Sequence, residues 1–141
     1  LLVDDIKVDV NMPFLDIKPH PWRRLKTSGS ERQVPLVGAS LWAAKQIINN
    51  WQSKLVFPRY CSEKGVKANS ASGSLNKWLS QRVPKGCVIH SFRHSFRDRL
   101  REVQCPSGII DALGGWSQVG VGANYGDGFQ LMQKVQWMRK L

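Results

Sequence analysis

The chain has 141 residues, with 21 Lys+Arg against 10 Asp+Glu, a formal charge of +11 and a pI of about 10.1. Hydrophobic residues make up 42% and six are tryptophans, which is enough apolar surface to offset chain entropy and excludes a disordered basic tail. No stretch approaches the ~20 apolar residues of a membrane span, and the start lacks the basic region and apolar run of a secretory signal.

The first 38 residues read as extended strands. Ile6-Lys7-Val8-Asp9-Val10 and Phe14-Leu15-Asp16-Ile17-Lys18 alternate apolar and polar, with Asn11-Met12-Pro13 as the turn between them. A third run, Arg32-Gln33-Val34-Pro35-Leu36, follows the small polar segment Thr27-Ser28-Gly29-Ser30, and its proline predicts an edge strand. The period then changes. Ser40 is placed to cap a helix carrying Leu41, Ala44, Ile48, Trp51 and Leu55. Residues 56–73 read as a loop, and Ser74 as the cap of a second helix that ends at Pro84-Lys85-Gly86. A third helix spans roughly His90 to Val103. A short one follows Pro106-Ser107 and stops at Gly114-Gly115, and a last one runs from about Phe129 to Lys140. The expectation is an α+β fold, mostly helical, in a single domain over 1–141: a sheet part at 1–38 and a helical part at 39–141.

Cys61, Cys87 and Cys105 form no CxxC pair, which predicts free, mostly buried thiols in a reducing cytoplasm. The excess of positive charge points to a polyanion, nucleic acid first, without separating an enzyme from a passive binder. On the third helix Phe92, Phe96, Leu100 and Val103 form an apolar stripe, with His90, Arg93, Arg97 and Arg101 beside it. Arginine and histidine on one rigid support can converge on a phosphate; the bland alternative is a solvated basic face. His90, His94 and Asp98 share the i, i+4, i+8 spacing of metal ligands, but the arginines around them oppose a divalent cation, so no metal is expected. The glycines from Gly120 to Gly128 do not make a dinucleotide fingerprint, because its third glycine falls at Tyr125. Arg23, Arg24, Lys26 and Arg32 put cations near the predicted hairpin, as a solvated tip or as a finger along a nucleic-acid backbone.

Together these residues resemble the tyrosine recombinase (phage integrase) family over nearly the whole chain. Leu25-Lys26-Thr27 with Ser30, Arg32 and Val34-Pro35-Leu36 is similar to the family's β-hairpin, and His90-Ser91-Phe92-Arg93-His94-Ser95-Phe96 to its H-x-L-R-H helix. Leu113-Gly114-Gly115-Trp116 resembles the L-G-H segment, 23 positions separate Arg93 from Trp116, and 9 more lead to Tyr125. The resemblance implies the recombinase catalytic fold, with Tyr125 as nucleophile, Arg93 and His90 on the phosphate, and Lys26 as general acid. Trp116 stands where most members have histidine, so it serves as donor or packing wall and not as a base. Arg24, Arg32, Arg97 and Arg101 are candidate DNA contacts.

The resemblance further implies duplex DNA as partner, self-association up to a tetrameric synapse, no cofactor, and a cytoplasmic, bacterial or phage-encoded protein. It also implies that the family's first catalytic arginine lies before Leu1, so that the chain is a catalytic-domain fragment. The competing readings are a non-catalytic DNA-binding or assembly module and a type IB topoisomerase-like enzyme. The last helix, following Gly126 and Gly128, is expected to pack in trans on a neighbouring protomer in the DNA-bound assembly.

Overall fold

A computed structural model describes residues 1–21, 24–25, 30–50, 52–62, 64–116 and 128–141. A short 3-10 turn at Val3–Asp5 leads into β1 (Ile6–Lys7), followed by β2 (Phe14–Ile17) and β3 (Arg32–Pro35). They form an antiparallel sheet in the order β1-β2-β3, with Ile6 opposite Leu15, and Leu15 opposite Val34. The period-two pattern accounts for this register, and Pro35 does sit on an edge strand.

Helix α1 (Gly38–Asn50) follows, then the hairpin β4 (Cys61–Ser62) and β5 (Gly65–Val66). Four further helices complete the described chain: α2 (Ala68–Leu79), α3 (Ser91–Glu102), α4 (Ser107–Gly114) and α5 (Leu131–Met138). The architecture is α+β.

Two apolar clusters hold these elements. The first joins Ile6, Leu36, Ala44 and Val56, covered by Leu15, Leu41, Ile47 and Ile48. The segment after α1 returns to the start of the chain, where Val3 N–H donates to the Lys54 carbonyl and Val56 N–H to that of Leu1. The second cluster joins Leu100 of α3 with Cys105, Ile109, Ile110 and Leu113, and Phe96, Trp116, Phe129, Trp137 and Met138 pack on it. Leu100 and Leu113 are essentially inaccessible, so truncating either leaves a cavity worth about 3 kcal/mol.

The end of α3 explains how that cluster closes. Gln104 takes a left-handed conformation (φ 59°), its N–H donates to Arg101, and Cys105 N–H donates to Leu100. This pair of bonds is a Schellman cap, and its Leu100–Cys105 contact is part of the core. Helix α4 ends in the left-handed Gly115 (φ 62°), where the Gly-Gly stop signal places it.

Several expectations need correction. Helix α1 begins at Gly38, so Ser40 is not its first cap; its Oγ reaches back to the Val37 N–H at 3.0 Å. Leu55 lies beyond α1 and bridges Leu2. Helix α2 starts at Ala68, six residues before Ser74, and ends at Leu79, before Pro84. Its small polar residues have weak propensity, and Asn76 Oδ1, which accepts the Ile89 N–H at 2.7 Å, ties the helix to the start of α3. Phe92 leaves the predicted stripe and is 60% exposed, because α3 meets the core through Phe96, Leu100 and Val103. Only Cys105 is a buried thiol; Cys61 is half-buried and Cys87 exposed.

In the single chain helix α5 is seated on its own core; the expected packing in trans belongs to the DNA-bound assembly. Val135 is buried, Phe129, Trp137 and Met138 pack on the second cluster, and α5 lies against β3 and α4. The Arg99 guanidinium donates to the Leu141 carbonyl and ties α3 to the segment after α5. Gln130 N–H donates to Gln133 Oε1 at 2.9 Å, which closes the first turn of α5. Among the described residues, no helix is long and apolar enough to cross a membrane.

Candidate nucleic-acid phosphate site

The site is built on the C-terminal turn of α4. The last carbonyls of a helix have no intrahelical partner and carry its negative dipole end, so they attract cations. Two arginines from distant parts of the chain use them. Arg32 at the start of β3 donates Nε to the Leu113 carbonyl at 3.0 Å, and Arg93 of α3 donates Nη1 to the Gly114 carbonyl at 2.9 Å. Arg32 also donates Nη1 to the Ser30 carbonyl at 2.7 Å.

Both glycines of the Leu113-Gly114-Gly115-Trp116 run are required by close approach. A Cβ on Gly114 would fall 1.6 Å from the Trp116 ring. At Gly115 a Cβ would meet Arg32 Nη1 at 2.5 Å, on a backbone that already has positive φ. The indole therefore lies over the end of α4, and it carries two further cations. The Arg93 guanidinium stands 4.2 Å from its centroid and that of Arg97 5.0 Å. Arg97 Nη2 also reaches Asp111 Oδ1 at 3.4 Å, while its buried Nε has no hydrogen-bond partner among the described residues.

Lys134 of α5 completes the group. It is only 9% exposed, and Nζ lies 3.5 Å from the Gln33 carbonyl. Burial, and then the Arg32 charge, push its pKa below the ordinary lysine value. Burial, then the Arg93 charge, lowers that of Arg32 in the same sense. Among the described residues, no carboxylate pairs with Arg32, Arg93 or Lys134. Like charges gathered without a counter-ion repel one another, and an anion seated among them relieves that cost.

Of the residues singled out in the sequence, Arg32, Arg93, Arg97 and Trp116 come together here. Arg32 is not on an exposed hairpin tip: its guanidinium is folded onto α4. Arg101 is exposed and pairs with Asp98 at 3.4 Å, away from the group. Arg24 is exposed and makes no ion pair or hydrogen bond to the group among the described residues. His90 precedes the first turn of α3, exposed, with its ring edge-on to His94 at 5.2 Å. Tyr125 and Lys26 lie outside the described residues. Among the described residues no three His, Cys, Asp or Glu side chains are grouped to hold a metal. Sequence reasoning missed Lys134. The available signal was a lysine three residues after Leu131 and four before Met138, a charge inside the apolar face of α5.

A second buried charge lies in the sheet region. Asp5 is 1% exposed, accepts the Leu2 N–H at 2.8 Å and faces His20 Nε2 at 2.8 Å, with Lys18 at 4.0 Å. Burial alone would raise its pKa; the Leu2 N–H and then His20 outweigh that and hold it below the ordinary aspartate value.

The model for the phage integrase family matches residues 1–129. No curated protein and no solved structure matches the chain. A family match over most of the chain, joined to a cation group drawn from β3, α3 and α5 around the end of α4, leads to one conclusion: the chain belongs to the phage integrase family.

Proposed function

We propose that the chain is the catalytic domain of a site-specific DNA recombinase that cuts and rejoins strands through a 3′-phosphotyrosyl bond. One observation carries this reading most directly: Arg32 and Arg93 are held on the terminal carbonyls of α4 and, among the described residues, no carboxylate pairs with them. Guanidinium groups offer planar forks to a phosphodiester's non-bridging oxygens, and rigid placement lowers the cost of charge build-up in the transition state. In this reading Tyr125 Oη attacks phosphorus, the bond to the 5′-oxygen breaks, and that oxygen leaves with a proton from Lys26. The tyrosine proton passes to His90. Arg93 neutralises the phosphorane oxygens, and Trp116 supplies the wall on which Arg93 and Arg97 stand. The covalent ester keeps the phosphodiester's energy, so a second 5′-hydroxyl can reverse the step. Duplex DNA is the partner, and +11 of net charge supports binding dominated by the backbone and weakened by salt. Self-association on paired DNA sites belongs to the same proposal.

The test is adduct formation by the full-length protein on a nicked suicide duplex. The wild type is expected to trap a covalent complex. Tyr125→Phe is expected to bind the duplex with unchanged affinity and to trap none. An adduct with Tyr125→Phe would overturn the nucleophile assignment. Binding by the wild type without any adduct would leave a DNA-binding module in place of an enzyme.

A further inference from the structure

We propose that Lys134 is a positioning residue that ties the seating of α5 in cis to occupancy of the anion site by a phosphate. The inference rests on the reading that Arg32 and Arg93 hold a phosphate group, and it adds a role for a side chain outside the family motifs quoted above. Three observations carry it. Lys134 is buried where α5 meets β3, with a backbone carbonyl at 3.5 Å as its hydrogen-bond partner and no carboxylate paired with it among the described residues. It is close enough to Arg32 for that charge, after burial, to lower its pKa. And α5 carries it into this position, so the ammonium leaves the site whenever α5 leaves β3.

The sign of the interaction follows from the charges. With the site empty, α5 brings a desolvated cation up to Arg32 and, beyond it, Arg93, and the seating is penalised. With a phosphate between the arginines, the same ammonium faces an anion, and the seating is favoured. Burial of Val135, Trp137 and Met138 supplies the apolar attachment in both states, so Lys134 adjusts an existing dock and does not create one. Lys134 follows Tyr125 by nine residues, so the device would act on the helix next in sequence after the nucleophile. With no phosphate in the site, that helix would be more loosely held on β3.

Hydrogen exchange of the α5 amides (residues 131–138) reports the seating directly, in the full-length protein with inorganic phosphate against sodium chloride of equal ionic strength. At phosphate about ten times its Kd, linkage predicts that exchange in α5 slows in the wild type by the ratio of phosphate affinities of the seated and unseated states, at most about tenfold. Lys134→Met removes the charge, and Lys134→Gln removes it while keeping an N–H donor for the Gln33 carbonyl. Both variants are expected to show slower α5 exchange than the wild type without phosphate, and a phosphate response below about twofold. An undiminished phosphate response in both variants would overturn the role of Lys134, as would a wild type whose α5 exchange ignores phosphate. Adduct formation separates the two readings. A phosphate response through Lys134 without any tyrosine adduct keeps this inference and removes the recombinase. An adduct without the response does the reverse.

Discussion

The chain buries charge in two places and handles it in opposite ways. In the sheet region, Asp5 Oδ2 accepts from the Leu2 N–H and His20, and Lys18 stands 4.0 Å from Oδ1, so opposite charge and donors meet it inside the fold. At the end of α4, Arg32, Arg93 and Lys134 meet only carbonyls and an indole, and no carboxylate answers them among the described residues. The first arrangement stabilises the fold. The second keeps a cost in the empty protein that a bound anion removes, so an uncompensated charge marks a site more reliably than a charged residue as such.

The largest expected effect tests the functional side of that contrast. Arg93→Ala should lower the adduct rate on the suicide duplex by ~10²–10³, the usual cost of one preorganised donor, while the melting temperature moves little. A rate within a factor of a few of wild type would remove Arg93 from the chemistry. The structural side predicts the reverse pattern. Asp5→Ala removes the carboxylate that His20 and the Leu2 N–H face and should cost about 3 kcal/mol in denaturant unfolding, with duplex affinity unchanged. In the wild type, the folded Asp5 pKa is lowered, so its stabilisation is complete above the unfolded value and is lost as pH falls through the folded one. The acid limb of the stability profile below about pH 4 should therefore flatten in Asp5→Ala.

Gly114→Ala sharpens the comparison from the packing side. Its methyl group would enter the space of the Trp116 ring, so a cost of about 1–3 kcal/mol is expected together with loss of the indole platform under Arg93 and Arg97. Stability and adduct formation should fall together, and a variant that loses neither would show that the indole can move aside freely. Lys134 gives an alkaline signature. Its folded pKa is lowered, so between that value and the ordinary 10.5 the unfolded chain holds more protons and stability rises with pH. Lys134→Met should abolish that rise. The smallest effect is a control far from both charges: Gln104→Gly relieves the left-handed residue of the α3 cap and should add about 0.5–1 kcal/mol with no change in DNA binding.

The legible parts of the molecule were those set by local rules. The alternation at Phe14, the helix from His90 and the glycine stop at Gly114-Gly115 depend on neighbours in sequence, and the structure has them within a residue or two, whereas the run from Ile6 to Val10 pairs only over Ile6–Lys7. Helix α2 was read too short because Asn69, Ser70, Ser72 and Gly73 are poor helix formers, and no local rule contains the Asn76–Ile89 bond. The site divided along the same line. Arg93 and Trp116 come from motifs with fixed spacing, as does Arg32 itself, and Arg97 from its place beside the apolar stripe of the third helix. The seat of Arg32 on α4 was not legible because its partner, the Leu113 carbonyl, is 81 residues away, and Lys134 was not singled out because its partner lies 101 residues away. The last helix illustrates the same limit of local rules: in the single chain most of its apolar face packs on the second core cluster, while Met132 stays exposed.

The account's central claim is that the unanswered cations at the end of α4 form a phosphate site. The most direct measurement is NMR of the arginine side-chain Nε–Hε resonances during titration with inorganic phosphate at constant ionic strength. The Arg32 and Arg93 signals should shift together with one shared Kd, and those of the exposed Arg99 and Arg101 should stay where they are. Shifts confined to exposed arginines, or separate affinities for Arg32 and Arg93, would contradict it.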